Sequence, residues 1–324
     1  MEEHFHKFMV EKGHEIDFWH KSQAATYDLC LFTDNSSDIK SLRSKYPYSK
    51  YVLLDPKMNN QRQILNAVGA NLVVVSSIEQ AELVAKYNKN VIVHYWFRYS
   101  NSLEDMGNNI GSQKNKIEIL YHGNKIHLEA MGSTLKPALE RLNSEYNIEF
   151  TAIYNIAKLG IWKKAVPKNV KVNHIQWTKE DYFRRILNSD IGVIPNFIPE
   201  LPSKLNYVLN KFNLYFKYLS GMNINKNDYS LRFKHNSNPG RIYEFAKARK
   251  SVVAEATLSM GQEIEHGISG FLVMTENGWF TAISKLIEDP KLRSELGSNL
   301  NSRFLKHHDL ETALYSFYRS LKDL

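Results

Sequence analysis

A chain of 324 residues with 43% apolar and 23% charged side chains is long enough for two hydrophobic cores and too apolar to be disordered or fibrous. Residues 1–110 carry 12 Lys and Arg against 13 Asp and Glu, and residues 111–324 carry 30 against 21, so the net charge of +8 resides in the second part, where it suits an anionic ligand, an anionic membrane or nucleic acid. No run reaches the ~18–20 apolar residues of a membrane-spanning helix, no signal-peptide pattern opens the chain, and Cys30 alone excludes a disulfide framework, so a cytoplasmic protein is expected.

The first residues read as a helix with no apolar strand before it, which points either to a reduced N-terminal domain or to one whose first strand is lost from this chain. Four apolar, β-rich runs follow: YDLCLFT (27–33), YVLLD (51–55), NLVVVSS (71–77) and VIVHYWF (91–97). They lack polar alternation, the mark of parallel strands covered on both faces. Cys30, inside the first run, is expected to pack as a small hydrophobe. Between the last two runs, IEQAELVAKYNKN has helical periodicity and completes a strand–helix–strand unit. Residues 98–115 are polar and rich in Asn, Ser and Gly, and read as an interdomain linker.

A second series begins at IEILYHG (117–123) and continues with IEFTAIYN (148–155), VKVNHIQW (170–177), DIGVIPN (190–196), SVVAEA (251–256) and GFLVM (270–274). Leu135, Leu139 and Leu142 mark the inner face of one intervening helix, and Ala282 and Leu286 that of another. His122 and Asn124, in YHGNK, read as loop residues. Residues 197–230 form an aromatic-rich insertion suited to a lid, an acceptor surface or a membrane-touching helix. The closing stretch RFLKHHDLETALYSFYRSL reads as helical. The expected organisation is an N-terminal Rossmann-like domain over 1–110, a second over 111–304, and a C-terminal helix over 305–324 packing back on the first.

The segment Phe233–Ala256, FKHNSNPGRIYEFAKARKSVVAEA, carries the chemistry. Asn238 is placed to cap a helix opening on Pro239, Gly240 and Arg241. The free amides and positive dipole end of such a helix suit a diphosphate, and Lys234 and Arg241 add full charges beside it. Gly240 permits close approach of a ligand to the backbone. Glu244, one turn further in, is placed to accept hydrogen bonds from ribose hydroxyls. The plainer readings are solvated charges for Lys234 and Arg241 and a local ion pair with Lys247 for Glu244.

This segment resembles the donor-binding region of retaining GT-B glycosyltransferases, especially family 4 of that class. The strand SVVAEA, then EIEHGISGFLV with Gly267, Gly270 and Phe271, and NGWFTAISKLIEDPKLRSELG are similar to consecutive stretches of such enzymes, and the likeness extends from Lys116 to Arg303. It implies two doubly wound Rossmann-like domains facing a cleft, a nucleotide-sugar donor, and a glycan, lipid-linked or other hydroxyl acceptor. It further implies retention at the anomeric carbon, no cofactor or metal, peripheral contact with an anionic membrane, and a role in cell-envelope polysaccharide synthesis. Gly123, Asn124, Pro195 and Asn196 then lie at strand ends bordering the donor, with Asn238, Gly240, Arg241 and Glu244, and the catalytic positions are Lys234, Asn236 and His94. Asn236 departs from the family pattern, which has Glu there. The plainer reading of His94 is a core histidine.

Other chemistries lack support in the sequence. His307 and His308 are adjacent and diverge on a helix, there is neither Asp-x-Asp nor G-x-S-x-G, and no nucleic-acid-binding module is recognisable. A nucleotide-sugar epimerase of the same fold and a noncatalytic sugar-nucleotide or glycan-binding protein are the rival readings.

Overall fold

The computed structural model describes residues 2–17, 27–33, 38–56, 58, 61–94, 116–196 and 239–324. The chain divides into two compact units. One comprises the described residues of 1–108, 235–243 and 303–324; the other comprises those of 109–234 and 244–302.

In the first unit, helix α1 (Glu2–Glu11) precedes four parallel strands: β1 (Leu29–Phe32), β2 (Lys50–Leu54), β3 (Leu72–Val75) and β4 (Val91–Val93). The crossover helices are α2 (Ile39–Lys45), α3 (Gln61–Gly69) and α4 (Ile78–Ala85). The strands lie in chain order, β1-β2-β3-β4. Right-handed crossovers taken in one direction put every crossover helix on the same face of a sheet. That face holds Cys30, Phe32, Tyr51, Leu53, Val73 and Val75 packed with Ile39, Ala67 and Val84 of the helices. The opposite face, Val52, Leu54, Leu72 and Val74, is covered by Phe5, Phe8 and Met9 of α1 and by Leu314, Phe317 and Leu321 near the C-terminus. Two segments about three hundred residues apart thus close the face that the crossovers leave open, and each strand is apolar on both sides. Cys30 sits in this core, where burial pushes its thiol up to about 11.

The second unit contains six parallel strands: β5 (Ile117–His122), β6 (Ile148–Tyr154), β7 (Lys171–Gln176), β8 (Ile191–Ile194), β9 (Ser251–Glu255) and β10 (Phe271–Val273). Their order is β10-β9-β8-β5-β6-β7. The chain winds outward from β5 to β7, returns to the other side of β5, and winds outward again, which is the dinucleotide-fold arrangement with a switch point between β5 and β8. Helices α5 (Lys125–Ala130), α6 (Leu135–Glu145), α7 (Ile156–Leu159), α8 (Tyr182–Asn188), α10 (Leu258–Glu263) and α11 (Glu276–Glu288) intervene, and of α9 (Gly240–Lys247) the residues from Glu244 onward belong to this unit. Leu135, Leu139 and Leu142 of α6 and Ala282 and Leu286 of α11 are buried against Ile119, Tyr121, Phe150, Ala152, Val193 and Val253. On the other sheet face Gly192 of β8 admits the Phe245 ring of α9 so closely that a Cβ there would lie 2.5 Å from it.

The closing stretch is two helices rather than one: α12 (Pro290–His307) and α13 (Leu310–Lys322). Asp309 breaks them apart. Its backbone is extended, and its side chain accepts from the Thr312 N–H at 2.8 Å, capping α13. Local periodicity conceals the break because both halves are amphipathic.

Candidate functional site

In a parallel sheet a crossover helix opens at the carboxyl edge of the strand before it, so the carboxyl edge gathers strand ends, loops and helix N-termini. At the switch point this edge is formed by the ends of β5 and β8. The strand β5 ends at His122, and Gly123 follows with φ 146°, a backbone conformation that favours glycine; its N–H donates to the Ile153 carbonyl at 3.0 Å. Asn124 is exposed and caps α5, its side chain accepting from the Ile126 N–H at 3.1 Å. Pro195 and Asn196 follow β8 and are buried. The Asn196 N–H donates to the Glu255 carboxylate at 2.7 Å, and its side-chain amide faces the Glu255 carbonyl at 3.4 Å. Asn196 therefore ties the end of β8 to the end of β9.

Helix α9 begins at Gly240. Pro239 forms the turn before it, and the Pro239 carbonyl accepts from the Ile242 N–H at 2.7 Å. Arg241, the second helical residue, is half-buried. Lys234, Asn236 and Asn238 lie outside the described residues, as does the 197–230 insertion.

Glu244 occupies the next turn of α9 and is buried. One carboxylate oxygen pairs with the Lys247 ammonium at 2.8 Å, and the other accepts from the Tyr182 hydroxyl at 2.9 Å. The local ion pair is thus present, with both side chains almost wholly enclosed. Burial of an ammonium is costly unless it is paired, so Lys247 and Glu244 each require the other. A carboxylate has about four lone-pair directions, and these two partners leave room for a further donor.

Tyr182 opens α8 and stands beside Trp177, with ring centroids 5.8 Å apart, and beside His122, at 6.2 Å. His122 is the last residue of β5 rather than a loop residue. It is buried, with its ring 5.2 Å from that of Phe245. His122 at the carboxyl edge, Tyr182, Glu244 and Lys247 therefore form one chain of buried contacts. Sequence reading did not single out Tyr182, because 62 residues separate it from Glu244 and nothing local distinguishes it from a packing aromatic.

His94, in the first unit, directly follows β4. It is buried and stacked on Phe317 of α13, with centroids 4.9 Å apart and planes 23° from parallel. Burial holds its ring neutral, pushing its pKa down to about 4. His308, in the same unit, packs on Tyr243 and Phe304, with centroids 4.5 Å and 5.5 Å away. No group of three or more His, Cys, Asp or Glu suited to a metal ion occurs among the described residues.

Two parallel α/β sheets, the second with its order reversed at β5 and β8, define a GT-B fold of the kind found in glycosyltransferases. Solved structures bear this out. HepE of Anabaena, in complex with UDP, is 15% identical over 94% of this chain and 80% of its own, with a TM-score of 0.60. A glycosyltransferase from Rickettsia africae is 13% identical over 98% and 86%, with a TM-score of 0.59. Sucrose-phosphate synthase of Thermosynechococcus elongatus is 12% identical over 94% and 75%, with a TM-score of 0.60. No protein-family model and no curated protein matches the sequence. At these identities the likeness establishes the fold.

Proposed function

We propose that the chain is a glycosyltransferase that moves a sugar from a nucleotide-diphosphate donor to an acceptor hydroxyl. The observation that carries this reading is the carboxyl edge at the β5/β8 switch point, where β5 ends in His122 and the Gly123 turn, and His122 packs on the Tyr182 that bonds the buried Glu244, on a fold shared with proteins solved with UDP and UDP-glucose. Open α/β sheets bind ligands at such edges.

In this reading the α9 amides, Arg241 and Lys234 receive the diphosphate and stabilise the charge that develops on it as the glycosidic bond breaks, the task that a divalent cation performs in other transferases. This supports a metal-independent reaction. Glu244, held in place by Tyr182 and Lys247, accepts from ribose hydroxyls; Gly123, Asn124, Pro195 and Asn196 shape the edge around the donor. Asn236 and His94 are assigned to the sugar side by the resemblance to retaining enzymes, which also supports retention, membership of family 4 and a place in cell-envelope polysaccharide synthesis. A lipid-linked or glycan acceptor and peripheral attachment to an anionic membrane complete the reading. No helix among the described residues is long and apolar enough to cross a membrane.

The test is a thermal-shift and calorimetric screen of UDP-, GDP- and ADP-sugars, followed by transfer and hydrolysis assays on any binder. UDP-sugars are the first donors to try. A donor-induced shift that disappears in Lys234→Ala, with sugar transferred to an acceptor, is the expected result. Donor binding without hydrolysis or transfer would point to a noncatalytic binding protein, the reading that Asn236 in place of Glu favours. Absence of binding by all three nucleotide classes would remove the proposal.

A further inference from the structure

Between Glu149 and Glu180 the sequence holds six lysines, Lys158, Lys163, Lys164, Lys168, Lys171 and Lys179, and no carboxylate. All six are exposed. Five of them fall on α7, on the segment that follows it, or at the start of β7. Within that segment, between Lys158 and Lys163 in sequence, stands Ile161, with 56% of its surface in solvent. An aliphatic side chain so exposed gains little from packing, and among the described residues no ion pair engages the neighbouring Lys158, Lys163 or Lys164.

The segment is held firmly in this pose. Trp162 is buried against Phe150 and His174, with centroids 6.1 Å and 5.9 Å away. Its backbone N–H donates to the Tyr154 hydroxyl at 2.9 Å, and its indole N–H donates to the Lys164 carbonyl. The Tyr154 hydroxyl in turn meets His174 Nδ1 at 2.9 Å. The Lys125 ammonium ties the Leu159 carbonyl, and the Lys168 N–H reaches Glu140 at 2.5 Å. Three left-handed residues shape the path: Gly160 (φ 69°), Ala165 (φ 62°) and Asn169 (φ 59°). Left-handed backbone is unfavourable for alanine, and such strain persists only where surrounding contacts impose it. Exposure of Ile161 is therefore built into the fold.

We infer that the β6–β7 crossover, with exposed Ile161 and the exposed Lys158, Lys163 and Lys164 close to it in sequence, is a docking surface for an anionic phospholipid bilayer. Cations beside a negatively charged leaflet add attraction additively, and an exposed aliphatic side chain enters the headgroup boundary. Single-stranded nucleic acid fits less well, because recognition of it uses exposed aromatic rings for base stacking, and the one aromatic residue of this segment, Trp162, is buried. The inference locates the membrane contact named in the functional reading on one surface, and stands independently of donor binding and transfer.

The experiment is sedimentation of the full chain with vesicles of phosphatidylcholine alone and with about one-third phosphatidylglycerol, at low and high salt. The wild-type chain is expected to bind the anionic vesicles, less so in high salt, and not the neutral ones. Lys163→Gln/Lys164→Gln should lower the partition coefficient roughly thirtyfold, equivalent to about 2 kcal/mol at tenfold per 1.4 kcal/mol. Ile161→Ser should lower it severalfold while leaving the salt dependence in place, and it decides the matter if the double variant does not fold. The charge-matched control Lys40→Gln/Lys45→Gln, on exposed positions of α2, should have little effect. Wild-type binding that these variants leave unchanged, or that the control pair weakens equally, would overturn the assigned surface while leaving membrane attachment standing. No preference for anionic vesicles would overturn both. Equal binding of the wild type and Ile161→Ser to single-stranded RNA, with RNA displacing the vesicles, would reassign the surface to nucleic acid.

Discussion

The stacked pair His94–Phe317 gives the first unit a measurable acid sensitivity. With its pKa pushed from 6.5 down to about 4 by burial, His94 is neutral in the folded chain across the range in which an unfolded chain already binds a proton. The unfolded state therefore holds more protons between about pH 6.5 and pH 4, and stability must fall as pH is lowered through that window. The move from 6.5 down to about 4 amounts to about 3 kcal/mol in full. The variant His94→Gln keeps a polar side chain and cannot titrate. Urea unfolding of both proteins at pH 7, 5.5 and 4.5 cancels the titration of every other group in the difference between them. At pH 7 the wild type is expected to be the more stable, through the stack on Phe317. By pH 4.5 about 2–3 kcal/mol of that difference should be gone. A difference that stays constant with pH would show that His94 titrates in the fold as it does in the unfolded chain, and would refute the assignment of a buried neutral ring.

Lys247→Met should destabilise the chain by about 3–5 kcal/mol by stranding the Glu244 carboxylate, and Glu244→Gln/Lys247→Met should recover most of that loss; equal losses in the single and double variants, measured by chemical denaturation, would deny the coupling. Gly297→Ala would place a Cβ 2.2 Å from the Arg249 carbonyl oxygen, a contact that only backbone movement can relieve, whereas Gly192→Ala meets the Phe245 ring, which can tilt. Losses near or above the upper end of about 1–3 kcal/mol for Gly297→Ala, exceeding those for Gly192→Ala, are expected in the melting temperatures of the two variants. Cys30, buried and with its thiol held up to about 11, should resist thiol-specific labelling at neutral pH until the chain is unfolded, and rapid labelling of the native protein would contradict its place in the core.

The ten strands among the described residues were legible in the sequence because parallel strands covered on both faces leave uninterrupted apolar runs, as in LVVV of β3 and IGVI of β8. The helices α6 and α11 were legible from apolar spacing, and the basic, glycine-bearing opening of α9 pointed to a phosphate site through local chemistry alone. Local pattern had no access to strand order. Whether β8 lies beside β7 or returns to β5 depends on which surfaces pack, and that choice creates the switch point on which the functional reading stands. The same holds for the cover of the first sheet by α1 and α13, for the stack of His94 on Phe317, and for the Tyr182 hydroxyl on Glu244: each joins residues far apart in the chain. The sequence by itself determined the elements and the chemical character of their ends, because backbone preference and apolar periodicity act over a few residues. Only the tertiary structure decided which ends meet, because that is settled by the burial of whole faces against one another.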